Sequence, residues 1–331
     1  MPTFVTLPEI QAAATRIAGT TVRTPLFPLP GTNLWIKCES AQPIGSFKLR
    51  GAYNMIAQLS PAQLALGVIT YSSGNHAQGV AYAARALHSK AVIVMPDNAP
   101  AVKVEATRAL GAEIVFVGPA SSARRLKAEE LAAAHGYTII PPYDHPHIIA
   151  GQATCGFEIA QQLPDVDLVI SPVSGGGLLS GTATAVKLAA AAGRCNAAVQ
   201  VYGAEPALAA DAKESFETRT LVEWPAALTS RTLGDGLRTQ SLGELNFQHI
   251  LRYVDGIVAV SEDEILAAMR YLLVHTALIP EPSGAVTLAA ALFHVHELPP
   301  ARKIVVILSG GNVEPSLLTS LQAERTSAGV Q

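Results

Sequence analysis

Short apolar runs rich in β-branched residues recur along this chain, separated by longer stretches in which alanine and leucine return at helical spacing. The runs at 67–71, 91–96, 113–118, 137–141, 167–173, 199–204, 256–260 and 303–309 have the length and branching of strands. Helices are predicted over 78–87, 101–110, 122–135, 178–192 and 262–277. Ser261, three residues before Glu264, has the spacing of a capping box, in which hydroxyl and carboxylate each satisfy a free backbone amide. Strands that are apolar almost throughout and alternate with helices predict an α/β fold whose parallel sheets are covered on both faces. Ligands of such sheets bind beyond the carboxyl ends of the strands. Loops beginning at Ser72, Ser174 and Ser309 all leave such ends, which points to one shared site.

With 331 residues, 49% of them hydrophobic, the chain can bury a substantial core in one large domain or two intimate ones. A formal charge of −3 leaves no electrostatic footprint for nucleic acid or an acidic membrane, so neither is expected as a partner. Met1-Pro2-Thr3-Phe4 does not open a basic region followed by an apolar signal core. Proline and glycine break the apolar stretches, as Pro172 does, so none is expected to span a bilayer. Cys38, Cys155 and Cys195 are odd in number and widely spaced, which suits a reducing cytoplasm and gives no zinc pattern. There is no internal repeat or low-complexity tract, and only 324–331 reads as a polar, poorly periodic tail.

Candidate chemistry concentrates in three segments. These are Gly45-Ser46-Phe47-Lys48-Leu49-Arg50-Gly51, Ser72-Ser73-Gly74-Asn75-His76 and Ser174-Gly175-Gly176-Gly177-Leu178. Each has an ordinary reading when taken alone. Lysine is usually a solvated charge, a Ser-Gly-Asn-His stretch suits a turn, and a glycine run suits a tight connection. The third segment joins a predicted strand to a predicted helix, where free amides and the positive helix end favour a phosphate. A dinucleotide reading competes for it. Gly175-x-Gly177-x-x-Ser180 approximates that fingerprint, with Glu205 after the next strand as a ribose ligand, although the third glycine is missing and the loop lies mid-chain.

Taken together and in this order, the segments resemble the serine/threonine dehydratase and serine racemase family of fold-type II pyridoxal phosphate enzymes. The resemblance runs from Arg23-Thr24-Pro25-Leu26 to Ser309-Gly310-Gly311-Asn312, nearly the whole chain. It implies two parallel-sheet α/β domains enclosing a cofactor cleft, in the manner of a tryptophan synthase β chain. A large domain would comprise 1–51 and 147–331, with a small domain of 52–146 inserted. No C-terminal regulatory domain is expected, and the usual assembly of the family is a homodimer.

By the same resemblance, pyridoxal 5'-phosphate is held on Lys48 as a Schiff base, Phe47 packs beside its ring, and the freed amine takes the substrate α-proton. Ser174, Gly175, Gly176, Gly177 and Leu178 cradle the phosphate, Ser174 standing where many relatives have glycine. Asn75 faces the phenolic oxygen, and Ser309 faces the pyridine nitrogen. A hydroxyl there makes a milder electron sink than the aspartate of transaminases, which suits β-elimination. Ser72, Ser73, Gly74, Asn75 and His76 receive the substrate carboxylate, and Gly236 lines the substrate side. Ser73 matches the opposite-face acid or base of racemases. Glu205, the Ala209 carbonyl and Asp211 match a divalent-cation site of the racemase branch, an oxygen set suited to Mg2+ or Ca2+. His76, His145 and His147 read as scaffold residues with no proton-transfer role.

The expected activity is dehydration of a β-hydroxy amino acid, L-threonine or L-serine, to a 2-oxo acid and ammonia. Open alternatives are a serine or aspartate racemase, a dehydratase of hydroxyaspartate or of a bulkier 3-hydroxy amino acid, a nicotinamide-dependent oxidoreductase, and a non-catalytic binding protein; Arg124 and Arg125, in a predicted helix, could recruit a second carboxylate but read first as solvated surface charges.

Overall fold

A computed structural model of the chain describes residues 4–72, 74–99, 101–118 and 121–328. The strands are β1 (Leu26–Pro28), β2 (Leu34–Cys38), β3 (Val68–Thr70), β4 (Ala91–Pro96), β5 (Glu113–Val117), β6 (Thr138–Ile139), β7 (Leu168–Pro172), β8 (Gln200–Pro206), β9 (Gly256–Val260) and β10 (Ile304–Leu308). Those of the first sheet run in the order β1-β2-β10-β7-β8-β9, and those of the second in the order β5-β4-β3-β6. Every pairing is parallel except β1 with β2. The expected α/β fold of parallel sheets is what the chain adopts.

Around the sheets lie α1 (Leu7–Ile17), α2 (Lys48–Ile56), α3 (Pro61–Leu66), α4 (Asn75–Ala86), α5 (Ala101–Ala109), α6 (Ser121–His135), α7 (Pro146–Gln162) and α8 (Gly177–Ala191). The remaining helices are α9 (Asp211–Thr218), α10 (Ala226–Thr229), α11 (Glu244–Tyr253), α12 (Glu262–His275), α13 (Pro282–Phe293) and α14 (Pro315–Ala328). Strands β4, β7 and β10 are buried along their whole length, the physical reason they read as unbroken apolar runs. The Ser261 capping box forms as predicted, with Glu264 N–H on the Ser261 hydroxyl at 3.3 Å and Ser261 N–H on the Glu264 carboxylate at 2.7 Å.

Several expectations are corrected. The sequence pattern predicts no strand before residue 67, yet β2 lies inside the first sheet between β1 and β10 and carries the charged Lys37. Its ammonium is fully buried and donates to Glu158 (2.6 Å), Gln162 (2.9 Å) and the Thr24 carbonyl (2.9 Å), so a distant helix makes a lysine tolerable there. The run at 137–141 contributes only the two-residue β6, because Pro141 and Pro142 have no amide for a ladder. Residues 324–328 continue α14 rather than forming an irregular tail. Helix α4 begins at Asn75 and not at residue 78, so the Ser-Gly-Asn-His motif enters the helix.

Helix α2 leaves the end of β10 through a hydrogen bond from Phe47 N–H to the Ser309 carbonyl (3.1 Å). It crosses α7 closely, since a side chain at Gly151 would begin 2.6 Å from the Arg50 carbonyl oxygen and the Gly51 Cα. Arg50, on the same helix, is fully buried between Glu39 and Glu158. The first residue of α2 is thereby fixed between the two sheets.

Candidate active site

Lys48 opens α2, and its Nζ donates to the Pro142 carbonyl at 2.9 Å, 5.2 Å from the centre of the Phe47 ring. Among the described residues no carboxylate pairs with it. Burial alone pushes its ammonium down from 10.5 to about 8, so a useful fraction of the amine is neutral near physiological pH. A neutral, desolvated amine is what condensation with an aldehyde requires. His76 stands nearby with Nε2 3.0 Å from the Ile140 carbonyl. Because a carbonyl only accepts, that nitrogen carries the proton. Burial and the Lys48 charge push the ring down to about 3, leaving it neutral, as a scaffold residue should be.

Beyond Pro142, Tyr143 packs against the glycine loop. A side chain at Gly175 would begin 2.4 Å from the Tyr143 ring, and one at Gly177 would begin 3.0 Å from its Cβ. Gly176 caps α8 at φ +93°, a left-handed conformation that glycine adopts without strain. The first amides of a helix have no intrahelical acceptor, so those at the start of α8 are free for an anion. Around this loop, Asn246 Nδ2 donates to the Gly175 carbonyl (2.9 Å), and Asp144 accepts from Leu245 and Asn246 N–H, both at 3.1 Å. Ser174 and Thr239 hydroxyls meet at 2.6 Å, adding a second hydroxyl to the cradle.

Across the cleft, Asn75 Nδ2 donates to Glu281 Oε1 at 2.7 Å, and its Oδ1 accepts from Asn312 Nδ2 at 2.7 Å. Ser309 is buried at the end of β10, its hydroxyl 3.4 Å from the Ser283 carbonyl, and Gly236 N–H donates to the Ser283 hydroxyl at 2.9 Å. Ser283 therefore ties the Gly236 turn to the Ser309 loop. The Ser72 hydroxyl lies 3.4 Å from Gly74 N–H, and a side chain at Gly74 would meet open space. Ser73 lies outside the described residues. Contacts thus link Lys48 through Pro142 and Tyr143 to the Gly175 loop, Phe47 to Ser309, Gly236 through Ser283 to Ser309, and Asn75 through Glu281 to Gly310.

Glu205, at the end of β8, accepts Lys213 N–H on Oε1 (2.6 Å), while its Oε2 and Asp211 Oδ2 are buried without partners. Burial and the Asp211 charge hold the Glu205 carboxyl well above the usual range, and burial raises Asp211 to about 7. Ala209 is buried in the turn between them. This group abuts the site, since a side chain at Gly234 would begin 3.4 Å from Pro206.

Tyr143, Thr239, Ser283, Glu281 and Asn312 have no place in the sequence reading of the site beyond Asn312's position in a motif. None lies in a pattern that local chemistry marks, and each matters through a partner far along the chain.

The profile described as pyridoxal-phosphate dependent enzyme matches residues 17–310. The chain belongs to that family. It is 39% identical over 319 residues to the L-threo-3-hydroxyaspartate ammonia-lyase of Pseudomonas sp, covering 95% of this chain and 97% of that protein. It is 37% identical over 325 residues to the L-threonine ammonia-lyase of Thermotoga maritima, covering 95% and 77%. The crystal structure of serine racemase from Dictyostelium discoideum superposes with a TM-score of 0.86 at 37% identity, covering 94% of this chain and 99% of that one. The fold is accordingly that of the fold-type II pyridoxal phosphate enzymes, and the dinucleotide reading of the Gly175 loop gives way to it. A desolvated lysine amine held on Pro142, next to the Tyr143 that packs on the glycine loop, suits a phosphate-bearing aldehyde, so the residues present fit the family's cofactor. Among the described residues no helix is long and apolar enough to cross a membrane.

Proposed function

We propose that this enzyme dehydrates a β-hydroxy amino acid, with L-threonine and L-serine as its substrates, releasing a 2-oxo acid and ammonia. The observation that carries the reading is the half-buried Lys48 amine, which among the described residues pairs with no carboxylate and directly follows Phe47, whose N–H donates to the Ser309 carbonyl at 3.1 Å. Pyridoxal phosphate, when bound, accepts the electron pair left at the substrate α-carbon. Lys48 takes the α-proton from one face, and the start of α4 holds the substrate carboxylate by its backbone amides. The start of α8, with Ser174 and Thr239, holds the cofactor phosphate, while Ser309 faces the ring nitrogen and Asn75 the ring oxygen. As the β-hydroxyl departs with a proton as water, the Cα–Cβ bond becomes double; the enamine released tautomerises and is hydrolysed. Gly236 leaves the substrate side open.

The test is an absorbance spectrum with added L-threonine, L-serine and their D-forms, with oxo acid assayed alongside. A cofactor band that shifts while oxo acid accumulates is expected, and a colourless, inactive protein after cofactor addition ends the proposal. The Ser73→Ala variant separates the racemase reading: dehydration from the Lys48 face should fall by less than about tenfold, whereas interconversion of hands should be lost.

A second reading, dehydration of 3-hydroxyaspartate, is favoured by Arg124. Its Nε is buried without a partner in the first turn of α6, after β5, at the carboxyl end of the second sheet. Burial lowers its guanidinium. A substrate β-carboxylate would supply the missing acceptor. Under this reading Arg124→Ala raises KM for hydroxyaspartate about 10–100-fold and leaves threonine unchanged, measured by steady-state kinetics on both.

We propose that Glu205, the Ala209 carbonyl and Asp211 hold Mg2+ or Ca2+, which would neutralise the two facing carboxylates and brace the Gly236 turn. The two unpartnered oxygens support this. Chelation should lower the melting temperature by roughly 2–4 °C, reversed by either cation and absent in Glu205→Gln. A melting curve indifferent to chelator would refute it. We further propose a cytoplasmic homodimer, with 52–146 as a small domain inserted in a large one comprising 1–51 and 147–331. The β3–β6 sheet, confined to 68–139, supports that division.

A further inference from the structure

Glu281 is a carboxylate that the proposed chemistry leaves unused. It is 3% exposed, caps α13, and donates its own N–H to the Gly310 carbonyl at 3.1 Å, one residue past Ser309. Room for its side chain depends on that residue being glycine, because a side chain at Gly310 would begin 2.1 Å from Glu281 Oε1. Among the described residues no lysine or arginine pairs with it by hydrogen bond. Its side-chain partner is the amide of Asn75.

The polarity of that contact is set from the far end. The Ile44 carbonyl can only accept, so Asn312 Nδ2, at 2.9 Å, donates to it. The same Nδ2 lies 2.7 Å from Asn75 Oδ1 and donates there too. Asn75 Nδ2 must therefore be the end that meets Glu281 Oε1 at 2.7 Å. A flipped Asn75 would set two donors against each other at Asn312. With one N–H given to Glu281, Asn75 keeps its second N–H for another acceptor.

Resting on the proposed function, in which that acceptor is the oxygen of the cofactor ring, we propose that Glu281 is a positioning residue for the bound cofactor: it fixes the Asn75 amide against the ring, and its protonation is read in the cofactor's spectrum. A carboxylate on Oε1 polarises the Asn75 N–H towards itself, whereas a protonated acid is a weaker acceptor, so the remaining N–H and the ring oxygen respond to its charge. The charged groups that act on it are Asp235, from the turn that carries Gly236, and Lys103, from α5; its other neighbours are the neutral Asn75, Gly310 and Asn312. Burial and Asp235 raise its carboxyl to about 7, so the change of charge falls in an accessible range.

The experiment is a pH titration of the cofactor absorbance band in the loaded wild type and in Glu281→Gln, with cofactor affinity and melting temperature measured on each. The wild type should show one transition with its midpoint near pH 7. Glu281→Gln keeps an acceptor for Asn75 and cannot ionise. It should lose the transition and bind cofactor within about threefold of wild type. Glu281→Ala, which also removes the acceptor, should weaken cofactor binding about tenfold. A role confined to packing would alter melting and leave the pH profile in place, so an unchanged midpoint in Glu281→Gln overturns the proposal. A wild-type band that is flat from about pH 6 to 8 overturns it even where the variants fail to fold. A wild type with no cofactor band at all fells the parent reading together with this one, whereas a flat band fells this one alone.

Discussion

Lys48→Ala should reduce turnover by about a thousandfold or more and remove the lysine-bound absorbance band, because under the proposed function it deletes both the cofactor's covalent anchor and the base for the α-proton. The protein should nevertheless fold as well as before. Among the described residues Nζ makes one hydrogen bond, to Pro142, and pairs with no carboxylate, so its desolvation costs stability in the cofactor-free protein. The sign can be followed with pH. The unfolded chain holds the Lys48 proton up to the ordinary 10.5 and the folded one only to about 8. Between those values the unfolded state binds more protons, so the stability of the cofactor-free wild type gains a rising contribution with pH that the variant lacks. Denaturant unfolding at pH 7 and pH 9.5, beside turnover at pH 8, tests both halves. Retained turnover, or a variant that melts far below wild type, would count against this assignment of Lys48.

Arg50→Ala should be the most destabilising single change near the site, by about 3–5 kcal/mol in urea unfolding. Arg50 grips Glu39 through Nε and Nη2 at 2.7 and 2.8 Å and Glu158 through Nη1 and Nη2 at 2.8 and 2.9 Å. Glu39, Arg50 and Lys37 are all fully buried, so removing the guanidinium strands a carboxylate that water cannot reach. Burial by itself would raise the Glu39 carboxyl; the Arg50 charge and hydrogen bonds, with Lys37, outweigh that and lower it to about 2. Its contribution is therefore complete above the ordinary carboxylate value of 4.5 and is lost as pH falls towards about 2. The wild type should lose stability across that acid window and Arg50→Ala should lose much less. A loss under about 1 kcal/mol at neutral pH would show the network to be dispensable.

Much of the candidate site is legible because its parts are local. The Ser174–Leu178 loop reads as an anion cradle, since glycine, strand end and helix start are neighbours in sequence, and the structure puts them as expected at the head of α8. The Ser72–His76 and Ser309 loops follow the same logic. The nature of Lys48 was carried by resemblance, since a lysine beside a phenylalanine has no local signature of burial. Tyr143, Thr239, Ser283 and Glu281 carry no local signal because their roles depend on contacts with residues 26 to 206 positions away. Strand β2 escaped because its buried lysine looks like a surface residue until Glu158 is placed beside it.

By itself, then, the sequence determined the parallel α/β architecture, the helix and strand periods, the glycine loop and the position of the lysine. These follow from side-chain spacing and backbone preference, which act over a few residues. Tertiary structure alone decided which charges are desolvated. Among the described residues Lys48 is left without a carboxylate, Arg50 is enclosed by two, Glu205 faces Asp211, and Glu281 meets Asn75. Those outcomes depend on distance through a low-dielectric interior between segments remote in the chain, and that distance exists only once the chain has folded.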